Sequence, residues 1–377
     1  MAGKTQHIFV FLEIFSREGG IQSYVKDILQ AYGQIASKNQ MKAQVLLLRD
    51  DPECDNPFAD NEAFEFHYLK TLPPWRGRWR LAMTLLALLV QRRPQWVFCG
   101  HINLGPLVQL LCKPLGIPYT VLTYGKEVWE PLDPRAQKSL QKADRIWTIS
   151  RYSRDRACEE NGLDRKQFAL LPCAVNGTLF TPGPKPPELV ERYGLADSRV
   201  LMTVARLWPG DIYKGVDVTI RALPIIAQAI PNVKYLAIGR GEDRPRLEQL
   251  ARELGVSDRV VFAGFVPAEE LSAHYRVADA YIMPSQEGFG IVYMEAMATG
   301  KPVLSGDRDG SADPLQDGRL GWRVPHRDPE AVAKACIEIL KGEDKRCDGE
   351  WLRQETLAAF GTDAFTHRLQ QLLAVSE

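Results

Sequence analysis

Two glutamates, Glu287 and Glu295, stand eight residues apart in the stretch YIMPSQEGFGIVYMEAMATG (281–300), and Gly288, Phe289 and Gly290 follow the first of them. The pattern predicts a buried strand at 281–283, a Pro-Ser turn, a Gly-containing loop and then a helix. A helix start leaves backbone N–H groups unpaired at the positive end of the helix dipole, which favours phosphate or another anion. Glu295 falls about a turn inside that helix, while Glu287 stays in the loop. On these residues alone two readings stand open: an anion-holding loop with two working carboxylates, or a strand, a turn and a helix with two solvated acids.

Other residue types that could do chemistry follow expected strand ends. Arg206 and Lys214 share the loop after 200–204, and Gly239-Arg240-Gly241 follows 233–238. That G-x-G lacks its third glycine, because Arg244 occupies the place, so a dinucleotide fingerprint is not implied. Ser16-Arg17-Glu18-Gly19-Gly20 follows the first strand, His101 a later one, and Tyr124 the one after that. Gly19 and Gly20 read equally as a ligand loop or as a tight turn that needs glycine. Asp307-Arg308-Asp309 has the D-x-D shape of a cation motif, but without supporting context it reads as a loop, and no metal is expected.

Composition narrows the classes. Lys plus Arg and Asp plus Glu are 47 each, so net charge is zero and bulk nucleic-acid binding has no support. Seven scattered cysteines include no C-x-x-C pair, which indicates neither a zinc site nor a disulfide framework and favours a reducing cytoplasm. Met1–Gln6 is polar and the 8–15 apolar run is broken by Glu13, so no secretory leader is expected. The longest apolar run, 81–90, is too short to span a bilayer.

The elements that must position these groups alternate. Strands are expected at 7–14, 43–48, 64–69, 96–99, 118–123, 146–150 and 168–172, with helices between them. A Gly/Pro-rich linker at 176–187 divides the chain. A second series follows, with strands at 200–204, 233–238, 260–263, 281–283 and 302–304. Helices are expected at 216–230, 246–254, 271–278, 328–340 and 352–375. The fold class is α/β, with two doubly wound Rossmann-like halves. The domains are taken as 1–180, completed by the terminal helix 352–377, and 181–351. PPWRGRWR (73–80) before LAMTLLALLV and Gln91-Arg92-Arg93 places basic residues and tryptophans around an apolar helix. Such a segment is either a core-packed helix with solvated arginines or a peripheral contact with an anionic membrane surface through 73–93.

Read together, these segments resemble one family. EGFGIVYME is similar to the two-glutamate element of retaining glycosyltransferases of family 4, which have the GT-B fold. VARLWPGDIYKG resembles that family's Arg-Lys segment, with Ala205 in place of its usual glycine. YLAIGRGEDRPRL, VFAGFVP, YRVADAYIMPS and, in the first half, ADRIWTISRYS occur in family order. TYGKEVW resembles a segment of lipid-directed mannosyltransferases, except that Tyr124 stands where those relatives carry histidine.

The resemblance implies two domains facing each other across a cleft, and transfer of a hexose from a nucleoside-diphosphate sugar. Arg206 and Lys214 would bind the diphosphate, Glu295 the ribose hydroxyls and Glu287 the transferred sugar. Phe289, Gly290 and Ile291 would offer backbone N–H groups, and Phe265 and Val266 would contact the base. Gly239 would belong to the donor site, with Gly19 and Gly20 closing from the first half. His101 and Tyr124 complete the expected catalytic set. Neither acid is a glycosidase-type partner, since both lie on the donor side. The expected acceptor is lipid-linked or a glycan, in cell-envelope or polysaccharide synthesis at the cytoplasmic membrane face. The expected donor is a GDP- or UDP-linked sugar, with mannose from GDP-mannose favoured by the TYGKEVW likeness, and a UDP-sugar transferase on a soluble acceptor and a non-enzymatic sugar-nucleotide-binding protein are the alternatives.

Overall fold

The computed structural model describes residues 5–17 and 19–374; Met1–Lys4, Glu18 and Val375, each touched by a reading above, lie outside them. The chain divides into two compact units, Met1–Ala174 with Thr362–Glu377, and Val175–Gly361.

Unit 1 contains β1 (Thr5–Phe11), α1 (Gly20–Asn39), β2 (Lys42–Leu47), β3 (Phe64–Tyr68), α2 (Pro74–Arg92), β4 (Trp96–Cys99), α3 (Gly105–Cys112), β5 (Tyr119–Thr123), α4 (Pro134–Gln141), β6 (Arg145–Thr148), α5 (Arg151–Asn161) and β7 (Phe168–Leu170). Its sheet runs β3-β2-β1-β4-β5-β6-β7, and all its pairs are parallel. Parallel strands covered by helices on both faces need continuous apolar runs. WVFC of β4 and YTVLT of β5 are accordingly buried throughout, while the edge strand β3 is only partly covered. Strand order reverses between β1 and β4, the switch point where open α/β sheets hold ligands. β1 ends at Phe11, three residues short of the expected strand. The buried Asp50 carboxylate accepts the N–H groups of Ile14, Phe15 and Ser16 at 2.6, 3.2 and 2.8 Å, which turns the chain there into a loop.

Unit 2 contains α6 (Pro187–Arg192), β8 (Arg199–Val204), α7 (Val216–Ala229), β9 (Val233–Ile238), α8 (Arg244–Glu253), β10 (Val260–Gly264), α9 (Ala268–Val277), β11 (Ala280–Met283), α10 (Ile291–Ala298), β12 (Val303–Gly306), β13 (Trp322–Val324), α11 (Pro329–Lys341) and α12 (Gly349–Phe360). Its sheet order is β10-β9-β8-β11-β12-β13, again parallel, with the switch point between β8 and β11. Asp328 caps α11 by accepting the Glu330 and Ala331 N–H groups, and Pro329 opens the first turn. The three-residue β13 is an addition to the expected strands.

The single terminal helix expected from 352 is broken at Gly361 in the structure. This gives α12 and then α13 (Thr362–Ala374), which returns to unit 1 and packs on α1. Helix α12 therefore belongs to unit 2, where it packs on α10. The division between units also falls at 174/175 rather than at 180. The Arg353 guanidinium explains this, since it donates to the carbonyls of Gly177 and Phe180 at 2.6 and 2.5 Å and fastens that segment to α12.

Candidate active site

The carboxyl edge of unit 2 at its switch point gathers most of the residues expected on the donor side. After β8 the chain passes Arg206 and a 3-10 turn, Pro209–Lys214, before α7 starts. After β11 it passes Ser285 and Glu287 before α10. The Gln286 N–H donates to the Tyr213 carbonyl at 3.2 Å, which ties the two loops together. Lys214 Nζ forms a direct ion pair with Glu287 Oε1, and both side chains are largely buried, with 19% and 16% exposed. Arg206 reaches the buried Asp211 carboxylate at 2.9 Å, and 74% of its own side chain stands in solvent.

The Glu287 loop is pinned from behind. Asp309 accepts the Glu287 N–H at 2.6 Å and the Ser311 N–H at 2.9 Å, and the Gly310 N–H donates to the Glu287 carbonyl at 2.7 Å. Burial pushes the Asp309 carboxyl up to about 6, against the pull of these hydrogen bonds. Asp309 is thus an internal strut, which gives 306–313 a role the sequence did not supply.

Gly290 opens α10 at φ 94, a left-handed conformation that favours glycine, and a Cβ there would lie 2.4 Å from the Tyr293 ring. No side chain caps this helix. Its first N–H groups therefore remain available to an anion. Phe289 is buried in edge contact with Phe360, ring centroids 6.0 Å apart, so its backbone is fixed while its side chain faces inward.

Glu295 lies within α10 and accepts a hydrogen bond from the Tyr275 hydroxyl at 2.7 Å. Burial raises its carboxyl to about 7, and the Tyr275 bond opposes that rise. Tyr275, Tyr281 and Tyr293 are fully buried below the loops, and the Tyr293 hydroxyl donates to the Met283 carbonyl at 2.6 Å.

Gly239 has φ 138, and a Cβ on it would come within 1.8 Å of the Ala205 carbonyl oxygen. Its bare backbone lets the Arg206 loop pass over the end of β9, where the Ala205 N–H donates to the Ile238 carbonyl at 2.9 Å. Phe265 is 60% exposed with the Arg240 guanidinium 4.7 Å above its ring, and Val266 beside it is buried.

In unit 1, Gly19 and Gly20 form the start of α1, where no side chain caps the helix. His101 follows β4 at the switch point. Its Nδ1 accepts the Asn103 N–H at 3.1 Å, so the neutral imidazole carries its hydrogen on Nε2 and presents a donor. Burial, and then Arg49, lower its pKa, with Glu13 opposing them. The Tyr124 hydroxyl donates to the Gly100 carbonyl at 2.6 Å, and its ring meets Tyr24 edge-on at 5.8 Å. This tyrosine braces the end of β5 against the end of β4.

Sequence reasoning missed Tyr275, Asp309 and Asp211. All three sit inside segments it did single out, but for Tyr275 and Asp309 a carboxylate or amide partner some twenty residues away leaves no local signal. Among the described residues, no group of three or more His, Cys, Asp or Glu side chains could hold a metal ion.

A family model described as "Glycosyl transferases group 1" matches residues 198–342, within unit 2. A GDP-mannose-dependent alpha-(1-6)-phosphatidylinositol monomannoside mannosyltransferase of Mycolicibacterium smegmatis is 31% identical over 338 residues, covering 86% of each chain. The chain belongs to the group 1 glycosyltransferases. A GDP-mannose-dependent monoacylated alpha-(1-6)-phosphatidylinositol monomannoside mannosyltransferase of Corynebacterium glutamicum is 28% identical, covering 92% of this glycosyltransferase and 91% of its own length. The Anabaena HepE structure with UDP superimposes with TM-score 0.79 at 18% identity, covering 98% of this chain and all of that one. The fold is therefore GT-B, and this glycosyltransferase is a hexosyltransferase by family.

Proposed function

We propose that this enzyme transfers mannose from GDP-mannose to a lipid-linked acceptor with retention of anomeric configuration. One observation carries the donor half: the Lys214–Glu287 pair beside the uncapped start of α10, at the switch point of unit 2. The choice of GDP-mannose and of a lipid acceptor is supported by the names of the relatives.

In this reading Arg206 and Lys214 meet the diphosphate, Arg206 by its planar fork and Lys214 as a compact charge. The N–H groups at Gly290 and Ile291 add fixed dipoles where charge grows on the leaving group, and Phe289 offers its main chain. Glu287, oriented by Lys214 and Asp309, accepts hydroxyls of the transferred sugar. Glu295 accepts ribose hydroxyls, and the exposed Phe265 face with Val266 receives the base. The anomeric C–O bond to the diphosphate breaks as the acceptor oxygen bonds to the same face. The acceptor's proton passes to the departing diphosphate, so no protein nucleophile is required. Because these cations and dipoles already neutralise the diphosphate, no metal or other cofactor is invoked. Within unit 1, His101 as an Nε2–H donor and the Gly19–Gly20 loop are assigned to the same reaction.

No helix among the described residues is long and apolar enough to cross a membrane. Helix α2 nevertheless exposes Trp75, Trp79 and Met83 by 61, 63 and 46% at four-residue spacing, hence on one face. Arg76, Arg78 and Arg80 are exposed beside them. This supports peripheral contact of 73–93 with an anionic cytoplasmic membrane face.

The test is nucleotide release from a panel of GDP-, UDP- and ADP-sugars, with and without membrane lipid extract. GDP-mannose should be consumed, and only with lipid present. Consumption of a UDP-sugar with a soluble acceptor, or of no donor at all, would overturn the proposal.

A further inference from the structure

The 3-10 turn Pro209–Lys214 ends on Lys214 and has little of its own to hold it. Runs of this helix beyond three or four residues are uncommon, and this six-residue turn is already broken at Asp211, where φ is −107 and ψ 24. Its apolar side chains give no anchorage. Trp208, just before it, and Ile212, within it, are 54 and 45% exposed, and Asp211 is the buried residue of the turn. No side chain caps α7, which begins straight after Gly215 at φ 74. A segment so placed is held by what neighbouring loops supply. The loop after β11 supplies the Gln286 N–H, which donates to the Tyr213 carbonyl.

A second support comes from the far edge of the sheet. Arg327 follows the edge strand β13, and its guanidinium spans both ends of the Lys214 segment. Nη1 and Nη2 donate to the two carboxylate oxygens of Asp217 at 2.9 and 2.6 Å, and Nη1 also donates to the Ile212 carbonyl at 3.3 Å. Ile212 stands two residues before Lys214 and Asp217 three residues after it, so one planar fork brackets the lysine. Asp217 lies in the first turn of α7 with 4% of its side chain exposed. Arg327 is itself firmly mounted. The Asp328 N–H closes a turn on the Pro325 carbonyl at 3.1 Å, and the Asp328 side chain caps α11. With 43% of its own side chain in solvent, Arg327 fills no part of the core. Its hydrogen bonds among the described residues all fall on the Lys214 segment.

We infer that Arg327 is a positioning residue of the donor site: by joining the Ile212 carbonyl to the Asp217 carboxylate, it fixes the backbone from which Lys214 reaches Glu287 and the diphosphate. It acts through Lys214 and touches no reacting atom. This rests on the reading of Lys214 as a diphosphate contact. The guanidinium geometry is what matters. A lysine would bring the same charge to Asp217, but an ammonium is a point and cannot hold carboxylate and carbonyl in one plane. A misplacement of about 1 Å in a binding group is enough to weaken what it holds.

The test measures binding of GDP and UDP to the full chain, with guanosine and uridine as phosphate-free controls. Arg327→Lys keeps a cation opposite the buried Asp217, so the unfolding temperature should stay close to that of the unaltered chain. Affinity for the tighter-binding diphosphate should fall by about three- to tenfold, and no further than in Lys214→Ala, while nucleoside affinity holds. In the Lys214→Ala background, Arg327→Lys should change diphosphate affinity by less than about twofold, because effects that run through one group do not add. Unchanged diphosphate affinity in Arg327→Lys would overturn the assignment, and so would an equal loss in both backgrounds. A parallel loss of nucleoside affinity would make Arg327 a general support of the fold and overturn it too. Should Arg327→Lys unfold at the assay temperature, Asp217→Asn takes its place, with the same expectations and the same overturning results. If Lys214→Ala loses affinity and Arg327→Lys does not, the donor reading of Lys214 stands and the positioning role falls. If Lys214→Ala binds both diphosphates normally, that reading falls and the positioning role falls with it.

Discussion

The two units share one topology and use it differently. Unit 1 runs β3-β2-β1-β4-β5-β6-β7 and unit 2 runs β10-β9-β8-β11-β12-β13, so each reverses strand order at its third and fourth positions. In unit 2 the switch-point groups are held in place by one another: Lys214 by Glu287, the Glu287 amide by Asp309, and Glu295 by Tyr275. In unit 1 the corresponding polar groups serve the scaffold. Asp50 holds three loop amides, Tyr124 braces Gly100, and cations on separate elements surround an open cavity. Topology thus fixes where a ligand can sit, and side chains decide how rigidly it is met. A preorganised edge suits developing charge, which gains most from dipoles already in place.

The sharpest way to break this contrast is to cut the pair that defines the unit 2 edge. Lys214→Ala removes the proposed diphosphate contact and leaves Glu287 without its cation in a largely buried loop. Glu287→Gln keeps the shape and removes the charge. Each should lower kcat by about 100-fold or more, with little loss of secondary structure by circular dichroism. Near-normal turnover in both would mean that the edge is merely a well-packed loop.

The same contrast explains what could be read from the sequence. Alternating strand and helix patterns point to the α/β halves, since buried parallel strands are continuous apolar runs and their caps are local. Arg206, Lys214, Glu287 and Glu295 could be picked out because they sit in two short segments, which follow β8 and β11, neighbours in the sheet although two strands separate them in the chain. Asp309 is not, because its partner is a backbone amide twenty-two residues earlier. The unit 1 cavity is invisible for a stronger reason: its cations come from the ends of three strands and from a helix, at positions 17, 49, 70 and 78. The unit boundary is misplaced because a Gly/Pro-rich segment reads as a linker, while a single Arg353 side chain binds that segment to α12.

A smaller effect sharpens the electrostatic side of the comparison. Burial holds the Glu295 carboxyl at about 7, above the usual carboxylate range. Ribose hydroxyls would donate to its ionised form, as Tyr275 already does, so donor binding should favour ionisation. GDP affinity should therefore fall several-fold as pH drops from about 8 to about 6, and Glu295→Gln should flatten that dependence. The sign for folding is opposite. A raised carboxyl contributes stability that is fully present below its ordinary range and lost as pH rises from there through about 7. Glu295→Gln should then stabilise unit 2 above that point, as measured by thermal unfolding at two pH values. A GDP titration that is equally steep in the variant would remove Glu295 from the donor site.

The smallest effect belongs to Tyr124, and it separates scaffold from chemistry in unit 1. The resemblance of its segment TYGKEVW to lipid-directed mannosyltransferases, in which a histidine is expected at this place, makes it a candidate for catalysis. Its hydroxyl donates to the Gly100 carbonyl at 2.6 Å, immediately before His101, and burial pushes its pKa well up, with the nearby Glu127 carboxylate adding to the rise. A phenol so placed neither ionises near neutral pH nor has a hydrogen to offer elsewhere. Tyr124→Phe preserves the ring against Tyr24 and deletes one part-buried hydrogen bond, at a cost of about 1 kcal/mol. That corresponds to a fall of about 2–4 °C in the unfolding temperature of a unit this size. Turnover should change by no more than about threefold, through slight loosening of the Gly100–His101 corner. A loss of about 100-fold with no change in unfolding temperature would instead make Tyr124 a reacting group. The unit 1 edge would then take part in the chemistry as directly as the edge of unit 2, and the contrast between a working edge and a scaffolding edge would be lost.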